Sequence, residues 1–231
     1  IIRKLAYLKA ETLVCQTYEA ADYFSDAIAK TVIPNPIDPN LPAVARTPRR
    51  NTVITYCRLE PQKNLPLLIR AFKEFQTHHP EYSLEIYGEG SERAALSALI
   101  DSVGLGGVAT VNDSRSDIHA VAKECAMFVL PSDYEGFSNS MIEAMALGLP
   151  TICTDCSGGG ARMVIDNGRN GLLVPVGDVR ALADAMSRIA EDEEFARRVA
   201  SAGAELREKL SVRAIAAQWD RLGRGEARGV N

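Results

Sequence analysis

Short apolar runs alternate with amphipathic segments over most of the chain. The predicted strands are Thr52–Cys57, Ser83–Tyr87, Val108–Val111, Met127–Leu130, Thr151–Thr154 and Gly171–Val174. Between these strands, apolar residues recur at helical spacing, as in the segments 65–79, 91–103 and 178–193. Most of the strands are nearly continuous apolar runs, which is typical of a parallel sheet that helices cover on both faces.

The repeated order of strand and helix predicts an α/β fold with a doubly wound parallel sheet, Rossmann-like in architecture. Right-handed crossovers bring the carboxyl ends of all strands in such a sheet to one edge. Open α/β sheets bind their ligands at that edge. We therefore expect functional residues in the loops that follow the strands.

The first 38 residues do not complete a unit of this kind, because they contain only one predicted strand, one helix-like segment and one extended piece. We expect them to be the trailing end of another domain whose earlier part is missing. Residues 39–50 are rich in proline and lack periodicity, which predicts a linker. The main domain is predicted at 51–210, and 211–231 should form an amphipathic helix and a frayed tail. Trp219 is expected to pack on a neighbouring element of this domain or of the missing one.

Composition and charge narrow the possible partners and compartments. The 231 residues are 46% hydrophobic and 24% charged, ordinary values for a globular protein. The net charge of -4 gives no electrostatic reason to expect a nucleic acid or an anionic membrane as partner. No apolar run reaches the roughly 18 residues that suggest a membrane span. Five scattered cysteines favour a reducing, cytoplasmic compartment over a disulfide framework.

The stretch 131–155, "PSDYEGFSNSMIEAMALGLPTICTD", places two acids at the junction of an apolar strand and a helix. Glu135 lies in the loop after the predicted strand, and Glu143 lies near the start of the helix. Ser140 and Glu143 match the S-x-x-E capping box, in which the acid bonds to the backbone N–H of the cap. Capping and ligand binding are both open for Glu143. Gly136, beside Glu135, allows a ligand or another backbone to approach closely.

A functional interpretation treats both acids as acceptors for paired sugar hydroxyls. Each charged hydrogen bond of this kind contributes roughly 1.5–3 kcal/mol when shielded from water. A nucleotide sugar offers one diol on its sugar and one on its ribose, with a diphosphate between them. The N–H groups around Ser138, Asn139 and Ser140 would meet that diphosphate at the start of a helix.

Two cations follow the first strand of the main domain. Arg58 stands at the carboxyl end of the strand and Lys63 lies just before the next helix, so both could reach one sheet edge and neutralise a diphosphate. Without the two acids, a pair of solvated loop cations would be the more common outcome. Asp133 and Glu135 resemble a metal-binding acidic pair. Because the two cations could neutralise the diphosphate, no metal ion is required.

Together these motifs resemble the C-terminal, donor-binding domain of the retaining glycosyltransferases of family 4, which have the GT-B fold. The resemblance covers nearly the whole chain and includes "YCRLEPQKN", "IYGEGSER" and "VLPSDYEGFSNSMIEAMALGLPTI", with the two Glu residues, separated by seven residues, that mark the family. The stretch "TDCSGGGARMVIDNGRNGLLVPVGD" resembles bacterial members that build surface polysaccharides. The resemblance implies that 51–210 binds a nucleotide sugar and that 1–38 ends an acceptor domain.

The resemblance also implies a role for each matching residue. The predicted catalytic residues are Arg58, Lys63 and Glu135. The predicted substrate-binding residues are Gly88, Gly136, Phe137, Ser138, Asn139, Ser140 and Glu143. The two cations would bind the diphosphate, Glu135 the sugar hydroxyls and Glu143 the ribose, while amides of the turn 136–140 would contact sugar and phosphate. No cofactor and no metal ion are implied.

Some motifs depart from known patterns or remain ambiguous. The family often has a proline–acid pair where this chain has Arg162 and Met163, which leaves the contact of that acid and the donor preference open. The C-x-x-C of Cys153 and Cys156 lacks further ligands, so a zinc or redox site is disfavoured. The glycines 158–160 could form a tight turn near the ligand or a flexible loop. Residues 112–117 are candidates to line a nucleobase pocket.

We therefore expect transfer of a hexose from a nucleoside-diphosphate sugar, favoured to be a UDP-sugar, to a glycan or lipid-linked acceptor with retention of configuration. This chain alone should bind the donor weakly and transfer nothing. The full-length protein is expected in the cytoplasm, with peripheral association at the inner face of the membrane left open. Two alternatives remain, a non-catalytic sugar-nucleotide-binding module and a nucleotide-sugar epimerase of the same architecture.

Overall fold

The computed structural model describes Tyr7 and residues 10–44 and 49–226. Parts of the predicted N-terminal segment, linker and tail lie outside the described residues: 1–6, 8–9, 45–48 and 227–231. Of the helices in the described part of the chain, none has the length and apolar character needed to cross a membrane.

Six parallel strands form the main sheet, as the alternating pattern predicted. The strands of the chain are β1 (Leu13–Cys15), β2 (Lys30–Val32), β3 (Arg50–Tyr56), β4 (Ser83–Tyr87), β5 (Ala109–Asn112), β6 (Cys125–Leu130), β7 (Thr151–Thr154) and β8 (Leu172–Val174). The order across the main sheet is β5-β4-β3-β6-β7-β8, and every neighbouring pair is parallel. The prediction of a doubly wound α/β sheet is confirmed.

Helices follow the strands and cover both faces of the main sheet. They are α1 (Tyr18–Asp22), α2 (Leu65–His78), α3 (Arg93–Ser102), α4 (Ile118–Ala122), α5 (Asn139–Ala146), α6 (Gly160–Val164), α7 (Val179–Glu191), α8 (Glu193–Ala204), α9 (Leu206–Lys209) and α10 (Val212–Gly223). A short 3-10 turn, Pro61–Lys63, precedes α2.

The core has two halves because successive side chains of a strand point to opposite faces. In β3, Val53 belongs to the half that contains Phe72 of α2, and Ile54 belongs to the half that contains Met141 of α5. Both strand residues are completely buried. This double burial explains why the strands read as continuous apolar runs.

The N-terminal segment forms its own small sheet, in which β1 and β2 pair in parallel. The chain then runs along the main domain, where Leu41 is buried and Arg207 Nη1 of α9 donates to Pro42 O at 2.7 Å. The described part of the predicted linker is therefore packed against the main domain. Trp219 on α10 remains 50% exposed, so it does not pack fully on this domain.

The order of the strands fixes where a ligand can enter. The chain moves outward from β3 to β5 on one side and from β6 to β8 on the other, so β3 and β6 are neighbours whose crossovers diverge. Open α/β sheets have a crevice at such a switch point, outside the carboxyl ends of the strands. The loops after β3 and β6 carry six of the predicted site residues: Arg58, Lys63, Glu135, Gly136, Phe137 and Ser138.

Candidate functional site

Lys63 and Glu135 meet at the switch point between β3 and β6. Lys63 Nζ donates to Glu135 Oε2, and Ser132 Oγ donates to the same oxygen at 3.3 Å. The Lys63 side chain is only 9% exposed and that of Glu135 is 16% exposed. A charged amine buried to this degree needs a partner of opposite charge. Lys63 is therefore not a solvated loop cation.

Asn64 shapes the turn that presents Lys63. Its backbone is left-handed, with φ of 43°, a conformation that Asn tolerates better than most residues. Its side chain accepts from Leu67 N at 3.3 Å, which caps α2, and donates to Asp133 Oδ1 at 2.6 Å. The turn with Lys63 and the loop with Glu135 are thus hydrogen-bonded to each other.

The glycines 158–160 pack backbone to backbone against the loop of Glu135. A Cβ atom on Gly158 would lie 2.3 Å from Glu135 O, and one on Gly160 would lie 1.8 Å from Gly136 O. Glu135 N also donates to Ser157 O at 2.9 Å. Such close approach favours the tight turn over the flexible loop, and only glycine fits at these positions.

Glu19, on α1, contacts this glycine turn and was not singled out from the sequence. Its Oε1 accepts from Gly158 N at 2.8 Å, and its Oε2 lies 3.4 Å from Arg162 Nη1. Arg162 also pairs with Asp155 through Nε at 2.7 Å. Arg162, which stands where the family often has a proline–acid pair, therefore forms ion pairs with two acids of the protein.

Of the two roles left open for Glu143, the capping box is not formed. The helix α5 begins at Asn139 with Ser138 as its N-cap, so Glu143 lies beyond the third helical position that a capping box requires. Its Oε2 instead lies 3.0 Å from Nε2 of His119 on α4. Both side chains are about one-fifth exposed, at 19% and 20%. Glu143 is thus directed to the sheet edge, and His119 is a site residue that the sequence reasoning missed.

The start of α5 offers backbone groups rather than side chains. Ser138 and Phe137 are buried, and no side chain caps the first turn of the helix. Ser138 Oγ and Ser140 Oγ share a hydrogen bond of 3.2 Å, and Tyr56 OH donates to Ser140 O at 3.1 Å. Asn139 Oδ1 accepts from an Asn side chain of the N-terminal segment at 3.1 Å. The predicted amide contacts of this turn are therefore compatible with the structure.

A cleft of about 380 Å³ opens beside these loops, at the carboxyl ends of β3 and β4. Its lining residues are Tyr56, Cys57, Arg58, Tyr87, Gly88, Glu89, Ser114, Arg115 and Ile118. The lining includes two predicted site residues and two members of the segment 112–117. The cleft is therefore continuous with the loop of Arg58 and suits the nucleobase side of a ligand.

Arg58 is exposed, and its side chain makes no hydrogen bond or ion pair with any residue within 10–44 and 49–226. Gly88 has a different role, because a Cβ atom there would lie 1.9 Å from Cys57 O. This glycine lets the ends of β3 and β4 close at the base of the cleft. Because Arg58 has no partner among the described residues, its charge remains available at the rim of the cleft.

The Cys57 thiol, at the end of β3, is affected by the charges of three of the predicted site residues. Burial raises the pKa of this thiol to about 11, the nearby charges of Lys63 and Arg58 lower the pKa, and the charge of Glu135 raises the pKa. All three charges act on one sulfur atom at the end of β3. On the same strand, burial raises the pKa of Tyr56 well above its usual value, and the Glu143 carboxylate adds to this effect. The two acids therefore flank the end of β3.

Neither the cysteine pair nor the acidic pair belongs to a cluster of possible metal ligands among the described residues. Cys153 and Cys156 are buried and unlinked, and burial raises the pKa of both thiols. Within the described ranges no group of three or more His, Cys, Asp or Glu residues could hold a metal ion. The absence of a metal requirement stays a prediction.

A larger groove of about 530 Å³ lies between α2 and α7. Its lining residues are His78, Asp184, Ser187, Arg188, Glu191 and Asp192. The groove is at the carboxyl end of α2, which places it near the amino ends of the strands. None of the predicted site residues lines it, and parallel α/β sheets bind ligands at the opposite edge. We therefore place the site at the β3–β6 edge.

Known proteins match this chain in both sequence and structure. Residues 38–206 match the family model described as glycosyl transferases group 1. An exopolysaccharide phosphotransferase of Streptomyces coelicolor is 29% identical over 217 residues, which cover 92% of this chain and 23% of that protein. The lipopolysaccharide core biosynthesis glycosyltransferase LpsD of Rhizobium meliloti is 29% identical over 233 residues, which cover 96% of this chain and 66% of that protein.

Among solved structures, a mutant of S. aureus TarM in complex with fondaparinux, alpha-GlcNAc-glycerol and UDP superposes with a TM-score of 0.86 at 22% identity. The superposition covers 95% of this chain and 45% of TarM. At this identity the likeness shows the fold alone, and it supports the GT-B architecture. The chain spans less than half the length of the first curated relatives that it matches.

Proposed function

The chain belongs to the family of group 1 glycosyl transferases, and from this premise we propose that it is the donor-binding part of a retaining, family 4 glycosyltransferase. The donor is a nucleoside-diphosphate sugar, and the transferred group is a hexose. The observation that supports this most strongly is the contact between Lys63 and Glu135, which joins the loops after β3 and β6 at the switch point of the sheet.

The two cations bind the diphosphate of the donor. As the bond between the anomeric carbon and the phosphate oxygen lengthens, negative charge builds on the leaving diphosphate. Arg58, Lys63 and the first amides of α5 stabilise that charge more in the transition state than in the ground state, which is the condition for acceleration. Lys63 donates to Glu135, so a diphosphate would share this ammonium group with the carboxylate.

The two acids hold opposite ends of the donor. Glu135 Oε2 already accepts from Lys63 and Ser132, which leaves Oε1 for hydroxyls of the sugar. Glu143 accepts from the ribose diol beside the cleft lined by Tyr56. This division places the sugar over the loop after β6 and the nucleoside over the ends of β3 and β4.

We propose uridine as the base and a surface polysaccharide as the product. TarM was crystallised in complex with UDP, and the two relatives are an exopolysaccharide phosphotransferase and a lipopolysaccharide core biosynthesis glycosyltransferase. The acceptor is then a glycan or a lipid-linked sugar, bound by a second domain of the whole protein. No metal ion takes part, because the two cations supply the positive charge. The whole protein would work in the cytoplasm, with peripheral contact to the inner face of the membrane.

A titration of UDP-, GDP- and ADP-sugars against the chain tests this proposal by isothermal calorimetry. We expect one UDP-sugar to bind per chain, weakly, and Glu143→Ala to weaken binding about 10- to 100-fold, the loss of one or two charged hydrogen bonds. Glu74→Ala is the matched control, because Glu74 is exposed on α2. Failure of all three nucleotide sugars to bind, or equal effects of both variants, would overturn the proposal.

A further inference from the structure

We propose that His119 is a positioning residue for the nucleoside: by donating from Nε2 to Glu143 it fixes this carboxylate in the orientation that accepts the ribose diol. The inference rests on the proposed function, since it assigns the ribose to Glu143. Neither the sequence patterns nor the comparisons assign a role to His119.

The pair is close and partly shielded from water. His119 Nε2 lies 3.0 Å from Glu143 Oε2, and both side chains are about one-fifth exposed. Among the described residues, His119 is the only side-chain partner within hydrogen-bond distance of the Glu143 carboxylate. An ionised carboxylate only accepts, so the imidazole must donate. A charge-assisted hydrogen bond in a partly buried site is stronger and more directional than one in water.

The imidazole ring is itself held in place. The Tyr56 ring packs edge-on against it, with centroids 6.0 Å apart and planes at 75°. Tyr56 is buried, and its OH donates to Ser140 O in the first turn of α5 at 3.1 Å. Tyr56 therefore contacts His119 on one side and the helix of Glu143 on the other. Ile118, next to His119 on α4, lines the cleft beside this pair.

The arrangement divides the two carboxylate oxygens between protein and ligand. Oε2 accepts from His119, while Oε1 has no donor among the described residues and remains for the ribose. Without the imidazole the carboxylate would rotate more freely, and binding would have to order it at a cost in entropy. Removal of the donor should therefore weaken recognition of the diol specifically.

The test compares UDP, GDP and ADP with their 2′-deoxy forms by isothermal calorimetry on the chain. His119→Gln keeps a side-chain donor, whereas His119→Leu keeps packing against Tyr56 but cannot donate. We expect the wild-type chain to prefer the ribonucleotide about tenfold or more, the contribution of one charged hydrogen bond. The Leu variant should lose most of this preference, as Glu143→Ala does, and the Gln variant should keep it. His78→Ala is the control, because His78 is exposed at the far end of α2.

A merely structural role would weaken both nucleotides by the same factor and leave their ratio unchanged in the Leu variant, which would overturn the inference. Loss of the preference in the Gln variant would also overturn it, and this variant decides the question alone if the Leu variant is unfolded. If the wild-type chain binds no nucleoside diphosphate, the proposed function fails and the role of His119 fails with it. Binding with a preference that His119→Leu does not change contradicts the role of His119 alone.

Discussion

Arg58 and Lys63 carry the same charge at one sheet edge, but the folded chain uses them differently. Lys63 is buried and paired with Glu135, whereas Arg58 is exposed and its side chain has no partner among the described residues. Stability and ligand binding should therefore respond differently to their removal. The site therefore contains one cation that is paired within the protein and one that is unpaired among the described residues.

We expect Arg58→Ala to leave the free energy of unfolding within about 0.5 kcal/mol of wild type, because no contact is lost. The affinity for UDP should fall about tenfold and should depend less on salt, because an exposed cation acts through a screened charge. Urea unfolding and calorimetry at two ionic strengths measure both effects. Arg70→Ala, an exposed cation on α2, is the control and should change neither.

Lys63→Met should lower the free energy of unfolding by about 1–3 kcal/mol, because it leaves the Glu135 carboxylate without its charged partner. The double variant Lys63→Met with Glu135→Gln should recover part of this loss, since the unpaired charge is then gone. Urea unfolding of the single and double variants provides the measurement. Equal stability of Lys63→Met and wild type would contradict the buried ion pair.

The raised pKa of the Cys57 thiol predicts that the protein loses stability at alkaline pH. Burial raises the pKa of its thiol from 9.0 to about 11, so the folded state favours the protonated form. Stability from this group is fully present below pH 9 and is lost as the pH rises from about 9 to 11, by about 3 kcal/mol. Urea unfolding at pH 8 and pH 10.5 should show a smaller loss for Cys57→Ala than for wild type. An identical loss would contradict the raised pKa.

At the scale of elements, local pattern was sufficient for type and approximate position. The predicted bounds of β4 and β7, Ser83–Tyr87 and Thr151–Thr154, agree with the structure. β4 is followed by Gly88 and β7 by Asp155, residue types that are uncommon in strands, so the end of each strand is visible in the sequence. β6 begins earlier than predicted, at Cys125, because Cys125 and Ala126 pair with the sheet although they are weaker strand signals.

Contacts between distant elements could not be read from the sequence. The pair of His119 and Glu143 joins two helices, and the bond from Gly158 to Glu19 joins residues 139 positions apart. The S-x-x-E pattern left a cap open for Glu143, but the N-cap of the helix is Ser138 and not Ser140. Local sequence rules could not decide between Ser138 and Ser140 as the N-cap, since tertiary packing determines where the loop after β6 ends.

The turn that packs against the loop of Glu135 gives a prediction at this scale. Gly160→Ala would place a methyl group 1.8 Å from Gly136 O, where only backbone could move away. We expect a loss of about 3 kcal/mol, at the upper end of the cost of overpacking. Gly106→Ala is the control, because its nearest atom would be Asp101 Oδ1 at 3.7 Å. Thermal unfolding that shows no difference between the two variants would contradict the close packing.

For the whole molecule, the order of strands explains why the site lies where it does. The crossovers diverge between β3 and β6, so loops from both halves of the sheet face one crevice. A ligand that contacts the loops after both strands should therefore stabilise the entire fold. At a UDP concentration ten times Kd, the gain is about 1.4 kcal/mol, or roughly 3–5 °C in Tm. Glu143→Ala, which weakens binding about 10- to 100-fold, should reduce this gain to about 0.4 kcal/mol or less at the same UDP concentration, and a shift of unchanged size would contradict binding at Glu143.

The most direct test of the central claim is a crystal structure of the chain with a UDP-sugar. We expect the diphosphate within about 3.2 Å of donors from Arg58 and Lys63, and the ribose hydroxyls at the same distance from Glu143. The sugar should lie beside Glu135 at the switch point. A nucleotide bound in the groove between α2 and α7, or a diphosphate that contacts neither cation, would contradict the account.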